Sequence, residues 1–406
     1  MAQLRVLITA QSPLCFSERR PGGQFRTSTE FVSGAVLRGA AAGVMVREGL
    51  EDDANFQRLF GVRQPAQALF RCAYPGDGVL PATALSCKDY SGFRTTTTAE
   101  AHGVFDGLIT MLCFEQLQPP GFLYTPRCLQ ADCEPGRADA FAGFYTQTAD
   151  GYRQRRVPQR LLTRVSINRQ RMAAEPELLY SPIVLTEAWW EGERPVQTQF
   201  SGTVSVEDAL ADRLSTALQA IAHLGSGAAR GLGQVSVECE AVPSGDGLAE
   251  RITEIRHRAE AFQAQVEMDW SALQPLCPSP PDCPQVFTVN LRSDAILKQR
   301  GWLPTTVLTP ELLREATGVQ GGNLILLRSV SSHDYRGGWH TARRLPKDTE
   351  LITRRGSVFV FAVDALEAWL EPLARLELRG IGMRTEEGFG EVRICDAFHV
   401  EGRNRL

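Results

Sequence analysis

Two stretches of this 406-residue chain obey one rule. Residues 225–238 read GSGAARGLGQVSVE, and residues 380–394 read GIGMRTEEGFGEVRI. Each follows an amphipathic helical pattern and leads into an alternating, strand-like run. EDALADRLSTALQAIAHLG puts Leu210, Leu214, Leu218 and Ile221 on one helical face. DALEAWLEPLARLEL does the same with Leu366, Trp369, Leu370 and Leu373. Strand patterns, TQFSGTVSV and SVFVFAV, precede the two helices. A strand–helix–glycine loop–strand order that occurs twice points to an internal duplication. The expected fold class is α+β, with a split βαβ unit in each half: an antiparallel sheet carrying two helices on one face.

The same order excludes familiar nucleotide sites. A phosphate-binding loop runs strand, loop, helix, so that the helix N-terminus faces the phosphates. Here the loop follows the helix. No GxxxxGK[ST] is present, and neither loop contains G-x-G-x-x-G. No nucleotide cofactor is expected. A helix C-cap and a tight turn account for the glycines, but not for Arg230 and Arg384 among them. Glycine admits close backbone approach, and exposed N–H groups beside an arginine suit an anion. Arg230, Gly231, Gly233 and Arg384 are therefore candidate polyanion contacts.

The formal net charge of −4 gives no global basic field. Lysine stands only at Lys88, Lys298 and Lys347, so nearly every cation is arginine. Arginine suits bidentate phosphate recognition and stacking, although codon bias also enriches it. The run YRQRRVPQRLLTRVSINRQR (152–171) is the most basic stretch and has no acid. No segment approaches the roughly 18 apolar residues of a membrane span, and MAQLRVLITAQSPL lacks a basic, then apolar, leader. A cytoplasmic location with no membrane partner is the expectation. The ten cysteines are then reduced thiols or metal ligands.

Along the chain, Leu4–Thr9 reads as a strand, and VSGAVLRGAAAGVMVREG reads as a helix with Ser33 as N-cap. Residues 72–145, rich in Cys, Gly, Pro and Thr, read as an insertion. The expected division is a first domain over 1–248 containing that insertion, a helical and proline-rich linker over 249–284, and a second domain over 285–406.

These motifs carry a resemblance. GAARGLGQVSVE and RTEEGFGEVRI resemble the glycine-rich loop of the RAMP superfamily (repeat-associated mysterious proteins), RNA-binding subunits of CRISPR effector complexes. VSGAVLRG (32–39) resembles the family's IPGSxLRG helix start, with Val32 where Ile-Pro is usual. TRVSINRQRMAAEPELLYSPIVL (163–185) resembles its strand-and-loop segment. The second half has no clear copy of the helix-start motif. Over nearly its full length the chain looks most like the type III-D RAMP protein of the Csx-ten type. The resemblance implies two ferredoxin-like, RRM-like domains, the first with a cysteine-bearing insertion. It implies CRISPR RNA held near its 5′ handle, with other RAMP subunits and the large signalling subunit as partners. Carried over to this chain, the helix-start contacts are Ser33, Gly34, Arg38 and Gly39. Arg26, Arg164, Arg169, Arg171, Arg343 and Arg344 join the loop arginines as expected backbone contacts.

Cys128 and Cys133 form a C-x4-C pair, with Cys87, His102 and Cys113 upstream. Cys113 sits on a helical apolar pattern and reads as core. Cys87, His102, Cys128 and Cys133 are then a candidate structural zinc site; buried free thiols are the alternative. Cys277 and Cys283 are a weaker pair with no histidine nearby.

Catalysis has thinner support. RNA cleavage through the 2′-OH usually wants a histidine base; the candidates are His102 and, in SSHDYRGGWHTARRLP, His333 and His340. A target-cutting subunit of the resembled family carries an acid before the helix-start motif. Here Glu18 and Glu30 are the only acids in that loop, and it has no aspartate. A guide-processing or target-cutting endoribonuclease is thus the alternative to a non-catalytic scaffold. A metabolic enzyme has no nucleophile motif or cofactor fingerprint in its favour.

Overall fold

The computed structural model describes every residue except 18–24, 27, 62–65, 96, 97, 99, 135, 150, 192, 243–246, 341–344 and 404–406. In the first half, β1 (Ala2–Ala10), β2 (Phe25–Arg26), α1 (Gly34–Arg47), α2 (Ala54–Phe60) and β3 (Ala68–Phe70) come first. A long insertion then holds β4 (Gly78–Val79), β5 (Ala84–Cys87), β6 (Val104–Asp106), α3 (Leu108–Leu117), β7 (Ala138–Ala140) and β8 (Phe144–Thr148). It continues through β9 (Gly151–Arg155), β10 (Gln159–Leu161), β11 (Arg164–Asn168), β12 (Ala173–Leu185), β13 (Ala188–Glu191) and β14 (Arg194–Gln197). β15 (Gln199–Val206), α4 (Ala211–Gln219) and β16 (Val235–Val242) close the half.

Its main sheet runs β16-β1-β15-β3, antiparallel throughout. In chain order this is a strand–helix–strand–strand–helix–strand unit whose strands lie in the order fourth, first, third, second. Alternation decides its faces. Leu4, Val6 and Ile8 of β1 pack with Leu37, Ala41 and Val44 of α1 and with Leu214, Ala217 and Leu218 of α4.

The second half repeats the plan. A 27-residue helix, α5 (Gly247–Leu273), leads into β17 (Gln285–Leu291), β18 (Leu297–Gln299), β19 (Leu303–Thr305) and α6 (Pro310–Thr317). β20 (Leu324–Val330), the hairpin β21 (His333–His340) and β22 (Leu345–Thr353), β23 (Val358–Val363), α7 (Glu367–Arg379), β24 (Val392–Ile394) and α8 (Phe398–Glu401) follow. The sheet order β24-β17-β23-β20 is again fourth, first, third, second, and antiparallel. VFVFAV is a continuous apolar run because all of β23 is buried on both faces; β17 is likewise buried beyond Gln285, with Thr288 and Asn290 hydrogen-bonded to each other inside it.

Residues 249–284, expected as a linker, are largely a packed element of this second core. Ile255, Ala259, Phe262, Val266 and Trp270 of α5 form a buried stripe at helical spacing, in one cluster with Val286, Val289 and Phe361. Leu108, Ile109, Leu112 and Cys113 of α3 join the same cluster. The insertion in the first half therefore completes the core of the second. Cys113 is fully buried, as its apolar helical pattern implies, and the core it enters is the second.

Two buried ionic groups tie these elements together. The Glu377 side chain, at the end of α7, accepts from Arg258 at 2.6 Å, Arg251 at 3.1 Å and the Ile394 N–H at 2.7 Å. Asp106 of the insertion lies 3.2 Å from His399 Nδ1, accepts Thr83 Oγ1 at 2.6 Å and caps Leu108 N at 2.8 Å. His399 Nε2 meets the Asn290 side chain of β17 at 2.8 Å. Burial opposes the charge on His399, but the Asp106 carboxylate outweighs it and the imidazole sits above its ordinary value.

No helix among the described residues is long and apolar enough to cross a membrane. Glu377→Gln leaves Arg251 and Arg258 without their anion, so urea unfolding should show a loss of about 3 kcal/mol. For His399 the folded value is raised. Its contribution is complete below the unfolded value near pH 6.5 and fades as pH rises through the folded one. Wild type should lose stability from pH 6 to pH 8.5, and His399→Asn should flatten that slope.

Candidate functional site

The two glycine loops are one structure built twice. In the first, Leu224 N donates to Gly233 O at 2.8 Å, Ser226 N to Cys15 O at 3.0 Å and Gly233 N to Pro13 O at 2.9 Å. In the second, Ile381 N donates to Gly390 O at 2.8 Å, Met383 N to Ile296 O at 3.0 Å and Gly390 N to Asp294 O at 2.8 Å. A single 3-10 turn forms each apex, Ala228–Arg230 and Thr385–Glu387. Position by position, Arg230 corresponds to Glu387 and Gly231 to Gly388.

The loops differ in what they touch. Gly388 is buried against the start of α1: a Cβ there would lie 2.7 Å from Phe70 O and 3.1 Å from Gly34 Cα. Reciprocally, a Cβ on Gly34 would lie 1.9 Å from Phe70 O and 2.7 Å from Glu387 O. The helix-start motif thus receives the second loop. Arg384, expected to face RNA, pairs with Glu387 and lies over the Phe389 ring at 5.1 Å, and Lys347 reaches Glu387 at 2.9 Å. These cations hold the Glu387 carboxyl below its ordinary value although burial opposes the charge. Arg38 is likewise used within the fold: it donates to Phe60 O at the end of α2 and lies over the Phe60 ring at 5.9 Å. Ser33 flanks α1 as N-cap without a side-chain capping bond, and Gly39 is exposed with nothing within 4 Å of a Cβ.

Around the first loop the picture changes. Ala228, Ala229, Arg230 and Gly231 are exposed. The Arg230 guanidinium lies over the Tyr180 ring at 5.4 Å and donates to its hydroxyl at 3.0 Å. Arg164 Nη1 donates to Arg230 O at 2.8 Å. Tyr180 and Arg164 are directly paired in the hairpin β11–β12. The backbone of β2, at residues 25 and 26, pairs with Ser181 and Pro182 of the same hairpin. Arg169 and Arg171 are exposed in its turn, between Ile167 at 64% and Met172 at 82% exposure. The structure therefore brings Arg164, Arg230 and the backbone at Arg26 to one hairpin, adds Tyr180, which the sequence reading missed, and sets Arg169 and Arg171 on its tip. Its signal was present: Tyr180 is the aromatic in LLYSPIVL. Glycine φ angles of +74° at Gly231 and +84° at Gly233 fix the loop's bend. Arg343 and Arg344 lie outside the described residues, as does Glu18.

The solvent side of the first sheet is a poor stacking platform. Cross-strand pairing puts Arg5, Leu7, Thr203, Ser205, Glu238 and Glu240 on it, with no aromatic among them to take a base and two carboxylates to repel phosphate. His333 and His340 stand at the two ends of β21, opposite Thr353 and Leu345. At ~3.3 Å per residue they are roughly 20 Å apart and cannot share one scissile bond.

The insertion gathers Cys87, His102, Cys128 and Cys133, whose ligand atoms all lie within 4.8 Å of one another. Cys87 Sγ is 3.6 Å from Cys133 Sγ, and Cys128 Sγ is 3.3 Å from His102 Nδ1. Cys87 ends β5, the turn 128–133 is closed by Cys133 N donating to Gln130 O, and Tyr90 stacks on His102 at 4.4 Å. Burial opposes ionisation of Cys87, but the Tyr90 and Asp89 N–H groups aimed at its sulfur hold it below the ordinary thiol value. Partial burial and then its neighbouring thiols push Cys133 up to about 11. Three thiols this close ionise together only around a cation, and tetrahedral Zn–S bonds of roughly 2.3 Å set sulfurs about 3.8 Å apart. The set can hold a metal ion. Cys277 instead donates to Leu117 O at 3.4 Å, within the second core.

No family model matches the sequence, and no curated protein does. Among solved structures, a chain of the type III-B Cmr-beta complex bound to cognate target RNA and AMPPnP is 10% identical, with a TM-score of 0.39 over 88% of this chain and 86% of that one. A chain of the same complex with cognate target RNA gives 10% and 0.37 over 89% and 86%. One in its apo state gives 13% and 0.31 over 59% of this chain and 97% of that one.

Gly34→Ala should cost about 2 kcal/mol or more, because the backbone it meets cannot yield as a side chain would. Gly39→Ala, inside the helix with open space, should add up to about 1 kcal/mol. Paired urea melts check both; equal effects would mean that the motif does not dock the second loop.

Proposed function

We propose that this chain is a non-catalytic, RNA-binding subunit of a type III CRISPR effector complex. The observation that carries this reading is the cluster of Arg230, Arg164 and Tyr180 at the first glycine loop, extended by the arginine-tipped hairpin. Exposed guanidiniums fix phosphates, a flat aromatic takes a base, and a glycine apex lets a strand approach the backbone. Both repeats have the strand order and crossovers of a ferredoxin-like domain, and we read them as two RAMP units. The motif resemblance points the same way and favours the type III-D, Csx-ten type. CRISPR RNA near its 5′ handle is the proposed ligand, with neighbouring RAMP subunits and the large signalling subunit as partners. The separation of His333 from His340 favours a scaffold over an endoribonuclease.

Binding of a 5′-labelled repeat-derived RNA, followed by anisotropy over a salt series, tests the interface. Arg164→Ala with Arg230→Ala should weaken binding tenfold or more and reduce the magnitude of the log–log salt slope by about 1.4, at roughly 0.7 per phosphate. The melting temperature should hold, since both side chains lie at the surface. Unchanged affinity contradicts the interface.

For the insertion we propose a structural zinc held by Cys87, His102, Cys128 and Cys133. When bound, the ion cross-links β5 to the 128–133 turn; the residues themselves fix the ligand geometry. Elemental analysis should find one zinc per chain, lost in Cys128→Ser together with several degrees of melting temperature. A folded, metal-free wild-type preparation contradicts it.

A further inference from the structure

The basic run 152–171 is only partly used at the first glycine loop. Arg164, Arg169 and Arg171 belong to the hairpin β11–β12, and Arg160 is held by Glu187 at 2.9 Å. Arg153, Arg155 and Arg156 remain at the other end of the run, and none of them makes an ion pair among the described residues. β9 fixes where the first two stand. Its partner β8 sets Thr146 opposite Arg153 and Phe144 opposite Arg155. Side chains alternate along a strand, so Arg153 and Arg155 share one face with Thr146, and Tyr152 takes the other. Tyr152 is buried there, stacked on Phe93 at 5.9 Å and edge-on to Phe398 at 6.0 Å, with its hydroxyl donating to Glu401. The strand is anchored through one face and offers two guanidiniums on the other. At ~3.3 Å per residue their Cα atoms stand roughly 7 Å apart. Arg155 Nε donates to Thr146 Oγ1 at 3.3 Å, which orients the guanidinium and leaves both Nη groups without an acceptor among the described residues. Arg153 Nε is shielded from solvent and likewise meets no acceptor among them. Asp77, next to the Gly76 that the Arg155 stem approaches, pairs with neither arginine.

We propose that Arg153 and Arg155 hold neighbouring phosphates of the RNA strand that crosses the first glycine loop, as a second backbone contact on the same ligand. This rests on the reading of the chain as an RNA-binding subunit. Two like charges on one face repel each other, and an external anion relieves them. Guanidiniums suit planar, bidentate phosphate recognition. A protein partner fits this face less well. The core of a protein interface is apolar and aromatic, and no large apolar side chain from residue 130 to residue 160 is exposed among the described residues. The chain itself joins the two contacts, since β9 leads through β10 into β11, where Arg164 stands.

The test uses the full chain and a labelled, repeat-derived RNA, with anisotropy followed over a salt series. Arg153→Gln with Arg155→Gln should weaken binding about tenfold and reduce the magnitude of the log–log salt slope by about 1.4, at roughly 0.7 per phosphate. Arg153→Lys with Arg155→Lys keeps both charges and should keep the wild-type slope. The melting temperature should hold in both variants. Unchanged affinity and slope in the glutamine variant, while Arg164→Ala with Arg230→Ala weakens binding, overturns the second contact alone. A slope reduced as much by lysine as by glutamine overturns it too, because a phosphate contact depends on the charge. So does a glutamine variant that binds RNA as wild type does but loses a protein partner on recovery from the native host. If wild type binds no RNA, the RNA-binding reading falls, and this contact falls with it.

Discussion

The close approach of Gly34 to Gly388 sets the relation between the two halves. Two backbones meet there with no side chain between them, at distances no other residue pair allows. Side-chain contacts also join the halves, besides the entry of α3 into the second core. Arg336 and Arg355 of the second half lie over the Phe31 ring at 5.7 and 4.4 Å while both pair with buried Asp294. Tyr74 Oη donates to Arg292 O at 2.8 Å. Arg71 donates to Glu377 O and Leu378 O, satisfying carbonyls at the end of α7 that the helix leaves open. A helix-start motif that looks like a ligand contact in sequence is, in the fold, a joint.

The two loops differ in charge as their surroundings do. A loop seated against protein needs its charges paired internally, and Glu387 takes Arg384 and Lys347 for that purpose. At the free loop the corresponding position is Arg230, paired with an aromatic and no carboxylate among the described contacts. One backbone plan carries two sets of side chains: Thr385, Glu386 and Glu387 at the seated apex, Ala228, Ala229 and Arg230 at the exposed one.

Much of this was legible in the sequence where the signal is local. Helix and strand periods, the order helix–loop–strand and the recurrence of the loop all follow from neighbouring residues. The cluster of Cys87, His102, Cys128 and Cys133 was also legible, because residue type narrows it even when spacing is loose. What escaped depends on contacts between distant segments. α5 reads as a charged linker because only one stripe of it is apolar, and α3 gives no sign of which core it enters. Gly34 and Arg38 read as ligand contacts because their partners, Glu387 and Phe60 O, are chosen by the tertiary fold. Tyr180 gains meaning only once the hairpin sets it under Arg230. His333 and His340 look adjacent in a loop until the strand separates them.

The central claim is that RNA runs along the first glycine loop and its hairpin. Ultraviolet cross-linking of the native assembly, with the cross-linked peptides mapped by mass spectrometry, tests it most directly. The account predicts adducts at Tyr180 and across residues 164–172 and 228–231. Adducts concentrated on the polar face of the first sheet or on the 333–353 hairpin, with none at these positions, would contradict it.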